Sequence, residues 1–291
     1  MDWLGLALVS AFGLASADAW TKRYFSSCGG AELVLLRYTV PGMLVAPGLW
    51  FYPLPSVPLD FWLWIAALIP LELLAALLYA TAIRDAPFFQ TVPLLAFTPV
   101  FNIATGWWIL GEQVSWQGAA GVALVVVGAY WLNIDTDRSR HGRGWLAPLR
   151  AVLVQKGSRR MLAVAMIYSI TSVGGKGAMM AVGPIQFVSL YFFLVGLAAL
   201  LLALVFQPGA LRVLQRRPAQ WLWIGGLLMM TNVAHFLAIA NAAAAYMVAV
   251  KRTSLLFGIA YGAWWFQESG FAQHIGAAVV MLAGVVLIAT V

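Results

Sequence analysis

The chain has 291 residues, of which 63% are hydrophobic and only 9% are charged. Soluble domains carry about 25% charged residues, so this composition excludes an ordinary water-soluble fold and indicates that much of the surface faces lipid. The net charge of +7 is compatible with nucleic-acid binding, but the basic residues lie mostly in loops between apolar segments, which is typical of membrane proteins.

The first apolar segment ends in Ala15-Ser16-Ala17, a pattern that resembles a signal-peptidase site. No Lys or Arg precedes the apolar stretch, although secretory signals begin with a basic region. The segment also aligns with an internal one at residues 161–180. We therefore interpret it as a retained helix.

Apolar segments of about 20 residues are long enough to cross a bilayer as a helix, and the chain contains ten of them. They lie at residues 3–21, 32–51, 61–82, 88–110, 115–133, 161–180, 185–206, 219–240, 244–266 and 271–290. Several connections are only a few residues long, which predicts antiparallel neighbours. Prolines inside the spans, such as Pro70 and Pro93, predict kinks that neighbouring helices can accommodate.

The two halves of the chain share a sequence pattern. Gly111-Glu112 closes an apolar run in the first half, and Gln267-Glu268 closes the corresponding run in the second. The tetrapeptide Trp-Leu-Trp-Ile occurs at residues 62–65 and again at 221–224. Because each half holds an odd number of predicted spans, the two copies must cross the membrane in opposite orientations. Many secondary transporters are built from inverted repeats of this kind.

We therefore predict an all-α polytopic membrane protein with ten transmembrane helices arranged as two inverted five-helix repeats. The first repeat covers residues 1–133 and the second covers residues 161–291. A basic linker joins them at residues 134–160, and a short surface helix is expected in it around Trp145–Val154.

The basic residues predict the orientation of the chain in the membrane. Lys and Arg flank the odd-numbered connections and are absent from the even-numbered ones and from both termini; the flanking residues are Lys22, Arg23, Arg84, the basic residues of the linker, Arg212, Arg216 and Arg217. The positive-inside rule then places the central loop in the cytoplasm and both termini outside. We expect a multi-pass protein of the bacterial inner membrane.

The adjacent cations Lys251 and Arg252 are the strongest functional signal. They lie roughly 10 Å inside the ninth predicted span, at about 1.5 Å per residue, where each charge costs at least about 2.5 kcal/mol to insert. Snorkelling toward the headgroups is the alternative interpretation, but an adjacent pair favours a binding site. Arg offers a planar fork for a phosphate or carboxylate, and Lys adds a mobile point charge.

Lys176 lies in the sixth predicted span, where Gly174, Gly175 and Gly177 leave room beside its ammonium group. Its counterpart in the first repeat, Lys22, follows Asp18 at helical i,i+4 spacing, so an internal ion pair is expected there. Snorkelling is the alternative interpretation for both lysines.

Glu72 lies near the centre of the third predicted span. A lone carboxyl group at this depth is protonated, paired with a cation such as Arg37, or part of a proton-coupling site. Arg37, early in the second span, is also close in sequence to Glu32 near the membrane interface. The sequence leaves these alternatives open.

His235 and Asn232 are three residues apart in the eighth predicted span and form a polar stripe with Asn241. A satisfied buried histidine is the simpler interpretation, and a substrate hydrogen-bond donor or proton carrier is the alternative. Tyr79 and Tyr246 are amphipathic residues that can line a cavity or lie at the membrane interface.

Several other kinds of chemistry are not indicated. The sequence contains no phosphate-binding glycine loop, nucleotide-binding fingerprint, metal-ligand cluster or nucleophile motif. We therefore expect neither an enzyme nor an ATP-driven pump, and we expect no cofactor and no metal. The single cysteine, Cys28, excludes an intrachain disulfide.

Two further motifs have structural interpretations. Glu112 and Glu268 follow the fourth and ninth spans, and we interpret them as solvated residues that cap the next helix. Gly121 and Gly128 in the fifth span and Gly284 in the tenth form small-residue faces, which predict close packing of these two spans.

Two stretches resemble the EamA repeat of the drug/metabolite transporter superfamily. The first runs from Thr91 to Phe101, followed by Gly111-Glu112, and the second runs from Lys251 to Gly258, followed by Gln267-Glu268. The resemblance implies ten helices in two inverted five-helix repeats, with secondary transport of small metabolites through a central cavity. Members of the family often have cytoplasmic termini, whereas the charge bias of this chain predicts the reverse.

A narrower resemblance concerns the organophosphate branch of the family, the plastid phosphate translocators. That branch carries a Lys-Arg pair on its ninth helix that holds phosphate, and Lys251 and Arg252 match the pair in type and position. The rest of the branch's pattern is not evident in this chain.

The sequence therefore predicts a secondary transporter for a small anionic or zwitterionic metabolite, phosphorylated compounds included. Lys251 and Arg252 would bind the anion with help from Lys176, and Glu72 or His235 would couple protons. The alternatives are a flippase for an anionic lipid headgroup and a non-transporting membrane scaffold. The expected partners are a small molecule or lipid headgroup and the bilayer, with no nucleic acid, and a homodimer is left open.

Overall fold

A computed structural model describes residues 2–85, 91–141, 146, 149, 154–267 and 274–291; the side chains of residues 84–85 and 133–141 are not part of this description. Within these ranges every regular element is helical. The prediction of an all-α fold is therefore confirmed for the described part of the chain.

The described α-helices are numbered here in chain order. They are α1 (Trp3–Phe25), α2 (Gly30–Val34), α3 (Val40–Val45), α4 (Gly48–Phe51), α5 (Leu59–Asp85), α6 (Thr98–Leu110), α7 (Trp116–His141), α8 (Lys156–Val182), α9 (Pro184–Phe206), α10 (Pro218–Ile239), α11 (Ala244–Lys251), α12 (Ser254–Trp265) and α13 (Ile275–Ala289). A π-helical turn at Leu35–Thr39 joins α2 to α3, and 3-10 helices lie at Val92–Phe97 and Pro208–Gln215.

Seven helical segments of the described chain are long and apolar enough to cross a membrane. They are Trp3–Phe25, Gly30–Phe51, Leu59–Ile83, Val92–Leu110, Lys156–Val182, Pro184–Phe206 and Pro218–Ile239. Shorter apolar helices at Trp116–Leu132 and Ile275–Ala289 fall on the fifth and tenth predicted spans. These helices make the chain an integral, multi-pass membrane protein.

The ninth predicted span is not one continuous helix, and this prediction is wrong. The segment is divided into α11 and α12 by a turn at Arg252 and Thr253. In the turn, the backbone N–H groups of Arg252 and Thr253 donate to carbonyl oxygens three residues earlier, both at 3.0 Å. Hydropathy did not reveal the break because it reports the apolarity of a segment, and no Gly or Pro marks the position.

The predicted linker is described only in part. Helix α7 continues to His141, so the helix of the fifth span extends into the segment that the sequence assigned to the linker. The surface helix expected around Trp145–Val154 lies largely outside the described residues, and Glu268 lies outside them as well.

The chain forms two compact units, each of which combines segments from both halves of the sequence. The first unit comprises Met1–Leu73 and Gly174–Asn241, and the second comprises Leu74–Val173 and Ala242–Val291. Helices α5 and α8 each contribute residues to both units.

In the first unit, α1 packs along α10, and α9 packs against α3 and the π-helical turn. Two buried hydroxyl groups connect these helices. The Ser10 hydroxyl donates to the carbonyl oxygen of Thr231 at 2.9 Å, and the Thr39 hydroxyl donates to that of Gly196 at 3.0 Å. Polar side chains in an apolar environment thus satisfy their hydrogen bonds on backbone carbonyl groups.

In the second unit, α13 packs along α7. The contact brings glycines face to face: a Cβ atom on Gly284 would lie 2.6 Å from the carbonyl oxygen of Gly121, and one on Gly121 would lie 2.9 Å from that of Gly284. Without Cβ atoms the two backbones approach closely, as is common for helices in membranes. The predicted packing of the fifth and tenth spans on each other is confirmed.

Candidate functional site

The cation pair lies at the break between two helices of the second unit. Lys251 is the last residue of α11, and Arg252 begins the turn that leads to α12. The C-terminal end of a helix carries partial negative charge, so cations are favoured there by about 0.3–1 kcal/mol. The hydroxyl group of Thr253 donates to the carbonyl oxygen of Val250 at 2.8 Å, and this local bond competes with regular helical bonding and favours the break.

The Arg252 residue is half-buried, and its guanidinium group lies near two aromatic side chains. The phenol groups of Tyr79 and Tyr168 interact with it electrostatically. Both tyrosines pack on an apolar cluster that includes Ala75 and Val164. The Nε atom of Arg252 is buried and has no hydrogen-bond partner among the described residues. A buried charged donor of this kind is energetically costly unless it meets an acceptor.

The other end of α11 is held by Glu112. Helix α6 ends at Leu110, and the next residue, Gly111, has a φ of 68° that glycine readily adopts. Glu112 Oε2 then accepts a hydrogen bond from the backbone N–H of Ala244, the first residue of α11, at 2.9 Å. The sequence predicted that Glu112 caps the helix that follows it. It caps instead a helix that lies far away in sequence.

Asn102 contacts the same end of α11. This side chain is only 1% exposed, and its Nδ2 atom lies 3.5 Å from the carbonyl oxygen of Ala244. Asn102 of α6 and Glu112, two residues after its end, therefore both contact the start of the helix that ends in Lys251. Both contacts fix the position of the cation pair through α11.

Replacing Glu112 with Ala is expected to destabilise the protein by about 1 kcal/mol, within the range of about 0.5–2 kcal/mol for the loss of an N-terminal helix cap. Glu112→Gln keeps an acceptor oxygen and should cost less. The unfolding free energy of the purified protein, measured by SDS titration, tests this. Gln113→Ala is the matched control, because Gln113 is exposed. A control variant as unstable as Glu112→Ala would contradict the capping role.

Tyr246, a predicted substrate-binding residue, lies within α11 and is 8% exposed. Its hydroxyl oxygen accepts a hydrogen bond from the backbone N–H of Ser115 at 3.0 Å. The Ser115 hydroxyl in turn accepts one from the N–H of Gly118 at the start of α7. Tyr246 thus connects α11 to the start of α7, and its role in substrate binding stays a prediction.

The first unit holds the remaining candidate carboxylates. Arg37, in the π-helical turn, forms a salt bridge with Asp18 of α1, with 2.9 Å between Nη1 and Oδ1. In the same turn, the Tyr38 hydroxyl donates to Oε1 of Glu72 at 3.2 Å. Helical spacing predicts Lys22 as the partner of Asp18, and it does not predict the Arg37–Asp18 contact. π-Helical turns are frequent at functional sites.

The other predicted site residues also lie in the first unit. Lys176 is half-buried in α8, Asn232 is half-buried in α10, His235 is 9% exposed, and Lys22 is exposed near the end of α1. The His235 ring lies edge-on to Phe236, with 4.9 Å between ring centroids. Their functional roles stay predictions.

The sequence did not identify two residues that contact the candidate site residues, Tyr168 and Tyr38. Tyr168 belongs to a polar run in the sixth span that also contains Ser169, whose hydroxyl lies 2.6 Å from that of Thr105. This polar run is the signal that could have indicated Tyr168. Nothing in the local pattern distinguishes Tyr38, because its contact with Glu72 is tertiary.

Cys28 lies in the connection between α1 and α2. Burial raises the pKa of its thiol, and so do the charge of the Glu32 carboxylate and its hydrogen bond, whereas Arg216 lowers the pKa. Arg216 Nη1 lies 3.7 Å from Glu32 Oε1. Glu32 therefore raises the pKa of the thiol, and Arg216 lowers it.

Removing the charge of Glu32 and removing that of Arg216 should therefore have opposite effects on the rate at which maleimide alkylates Cys28. This reaction requires the thiolate. Glu32→Gln should lower the thiol pKa and speed labelling near pH 8, because the larger thiolate fraction reacts. Arg216→Gln should raise the pKa and slow it. The pH dependence of the labelling rate is the measurement, and equal changes in both variants would show that the charges do not control Cys28.

Comparison with known proteins agrees with this architecture. Residues 1–134 match the model of the EamA-like transporter family. A solved structure described as "Crystal structure of protein" superposes with a TM-score of 0.73 at 14% identity, over 98% of this chain and 94% of that chain. At that identity the likeness shows the fold alone. No curated protein matches the chain in sequence.

The family match includes the Gly111-Glu112 motif and suggests a membrane transporter of small solutes. Over residues 1–134, the chain is therefore similar to the EamA-like transporter family.

Proposed function

We propose that this protein is a secondary transporter for a small anionic or zwitterionic solute, phosphorylated compounds included. In this proposal, ten spans form two inverted five-helix repeats, and the solute crosses the membrane by alternating access. The observation that carries the proposal is Arg252, which has a buried Nε donor without an acceptor among the described residues, at the break of an apolar helix.

Charge and geometry support an anionic group as the ligand. A buried guanidinium N–H donor without an acceptor is costly, and a carboxylate or phosphate that accepts its hydrogen bond removes much of that cost. Lys251, the preceding residue, adds a second positive charge. The Tyr79 and Tyr168 hydroxyl groups near Arg252 offer neutral donors. Discontinuous helices of this kind form the substrate sites of many transporters.

The remaining predicted residues have proposed roles in binding the solute or in coupling its transport to protons. Lys176 would assist anion binding, and Asn232, His235 and Tyr246 would contribute hydrogen bonds. The Glu72 carboxyl group, which accepts a hydrogen bond from Tyr38, is the proposed proton carrier. Protonation would change the balance of charge in the first unit and so link proton binding to transport. The central loop is proposed to face the cytoplasm.

A thermal-shift screen of the purified protein tests the substrate class. The compounds are phosphate esters, amino acids, organic cations and soluble lipid headgroups. A ligand at about 100 times its Kd should stabilise the folded state by about 2.7 kcal/mol, which is measurable. We expect anions to stabilise the protein. Stabilisation by cations or neutral compounds, with none by anions, would contradict the proposal.

A further inference from the structure

A second group of cations lies at one end of the first unit, away in sequence from Lys251 and Arg252. The ring of Tyr24 has two arginines beside it: the Cζ atom of Arg23 lies 6.0 Å from the ring centroid, and that of Arg217 lies 5.6 Å from it. Both arginine side chains are exposed. Two guanidinium groups therefore converge on one aromatic ring at the surface of the unit.

The backbone of Arg217 is held in an unusual conformation. Its φ of 50° and ψ of 62° are left-handed, which is uncommon for a residue other than glycine. The carbonyl oxygen of Arg217 accepts a hydrogen bond from the N–H of Gln220 at 3.0 Å. The indole N–H of Trp221 donates to the carbonyl oxygen of Leu214 at 2.8 Å and ties the preceding 3-10 helix to α10. These bonds support a strained residue of the kind found at ligand-binding sites.

Aromatic and apolar side chains surround the two arginines. Trp20 stacks on Tyr24 with 5.1 Å between centroids, and Trp223 meets the edge of Trp20 at 6.3 Å. Trp223 is 55% exposed, and its neighbour Leu222 is 45% exposed. Tryptophan and tyrosine gather where apolar helices meet the headgroup region of a bilayer. The site therefore lies where lipid chains and headgroups both come within reach.

The charge of this region is strongly positive. Lys22, Arg212 and Arg216 are exposed in the same unit and join Arg23 and Arg217 near the end of α1 and the start of α10. Two described carboxylates, Glu32 and Asp18, lie in the same region, where they contact Arg216 and Arg37. The excess of cations attracts a negatively charged headgroup.

We propose that Arg23 and Arg217, both beside the Tyr24 ring, bind the phosphate of an anionic phospholipid, with the tryptophans beside the glycerol and upper acyl chain. The planar guanidinium groups suit bidentate contact with phosphate oxygens. The surrounding exposed apolar side chains favour a lipid over a soluble anion, since the acyl chain of a lipid can pack on them and a soluble anion cannot. This inference does not rest on the proposed transport function.

Native mass spectrometry of the purified full-length protein, mixed with phosphatidylglycerol or phosphatidylcholine at equal concentration, measures lipid retention. We expect the wild type to retain phosphatidylglycerol in preference. The double variant Arg23→Gln/Arg217→Gln should lose retention of that lipid by a factor on the order of ten or more. The control Lys156→Gln/Arg159→Gln removes two charges at the start of α8 and should behave as wild type.

Retention of phosphatidylglycerol by the double variant at the wild-type level would overturn the proposal, as would an equal loss in the control. Soluble glycerol phosphate is the third probe, and displacement of the lipid at millimolar concentration would show that a free phosphate ester is the ligand. Circular dichroism checks the fold of each variant. If the double variant unfolds, the single variants Arg23→Gln and Arg217→Gln replace it, and each should lose retention several-fold.

Discussion

Replacing Arg252 with Ala is expected to weaken the binding of an anionic solute by roughly 10- to 100-fold, because a hydrogen bond to a charged group contributes about 1.5–3 kcal/mol. The Nε donor of Arg252 is buried without an acceptor among the described residues, and two phenol groups lie near the guanidinium. Arg252→Lys keeps the charge and loses the fork, so it should recover only part of the affinity. Isothermal titration with the strongest anion from the thermal-shift screen measures the change in Kd.

Lys251→Ala should weaken binding by less than Arg252→Ala, because an ammonium group is a point charge without a fixed geometry. The matched control is Arg159→Ala, an exposed cation of the same charge at the start of α8. The control should bind as wild type does. If all three variants lose affinity equally, net charge alone is responsible and the local site is contradicted.

The second large effect is expected at the contact between α7 and α13. Gly284→Ala should destabilise the protein by about 1–3 kcal/mol, since an added methyl group overpacks the contact. The new Cβ would lie 2.6 Å from the carbonyl oxygen of Gly121 and 2.8 Å from the backbone nitrogen of Val125. Both are backbone atoms, so neither can move aside as a flexible side chain would. The unfolding free energy from SDS titration is the measurement.

Gly258→Ala in α12 is the matched control, because nothing among the described residues lies within 4 Å of the position that its new methyl group would take. Alanine in the interior of a helix is normally favoured over glycine by about 0.5–1 kcal/mol, so this variant should be slightly stabilised. The same Gly→Ala substitution should therefore lower the unfolding free energy at position 284 and raise it at position 258. Stabilisation of Gly284→Ala would show that α7 and α13 do not depend on close backbone contact.

The lengths of the apolar segments predicted the helices well, because the thickness of the bilayer sets the length that a spanning helix needs. A segment such as Pro184–Phe206 must satisfy its backbone hydrogen bonds within itself, so its composition already indicates a helix. The facing glycines of α7 and α13 were predictable for a related reason, since small residues at helical spacing mark close contacts. Both signals are local in sequence.

The candidate site was less predictable because its contacts are tertiary. The bond from Ala244 to Glu112 and the proximity of Tyr168 to Arg252 join residues that are far apart in the chain. The break at Arg252 depends on a Thr253 hydroxyl bond that hydropathy does not detect. Adjacent cations in an apolar segment are nevertheless visible in the sequence, and they indicate a candidate site without any knowledge of its neighbours.

The most direct test of transport is counterflow in proteoliposomes, with the anion from the thermal-shift screen labelled outside and unlabelled inside. The proposal predicts that wild-type protein accumulates label transiently, that Arg252→Ala abolishes the accumulation, and that Arg159→Ala leaves it intact. Binding of the anion by the wild type without any counterflow would contradict transport and would favour a non-transporting membrane protein.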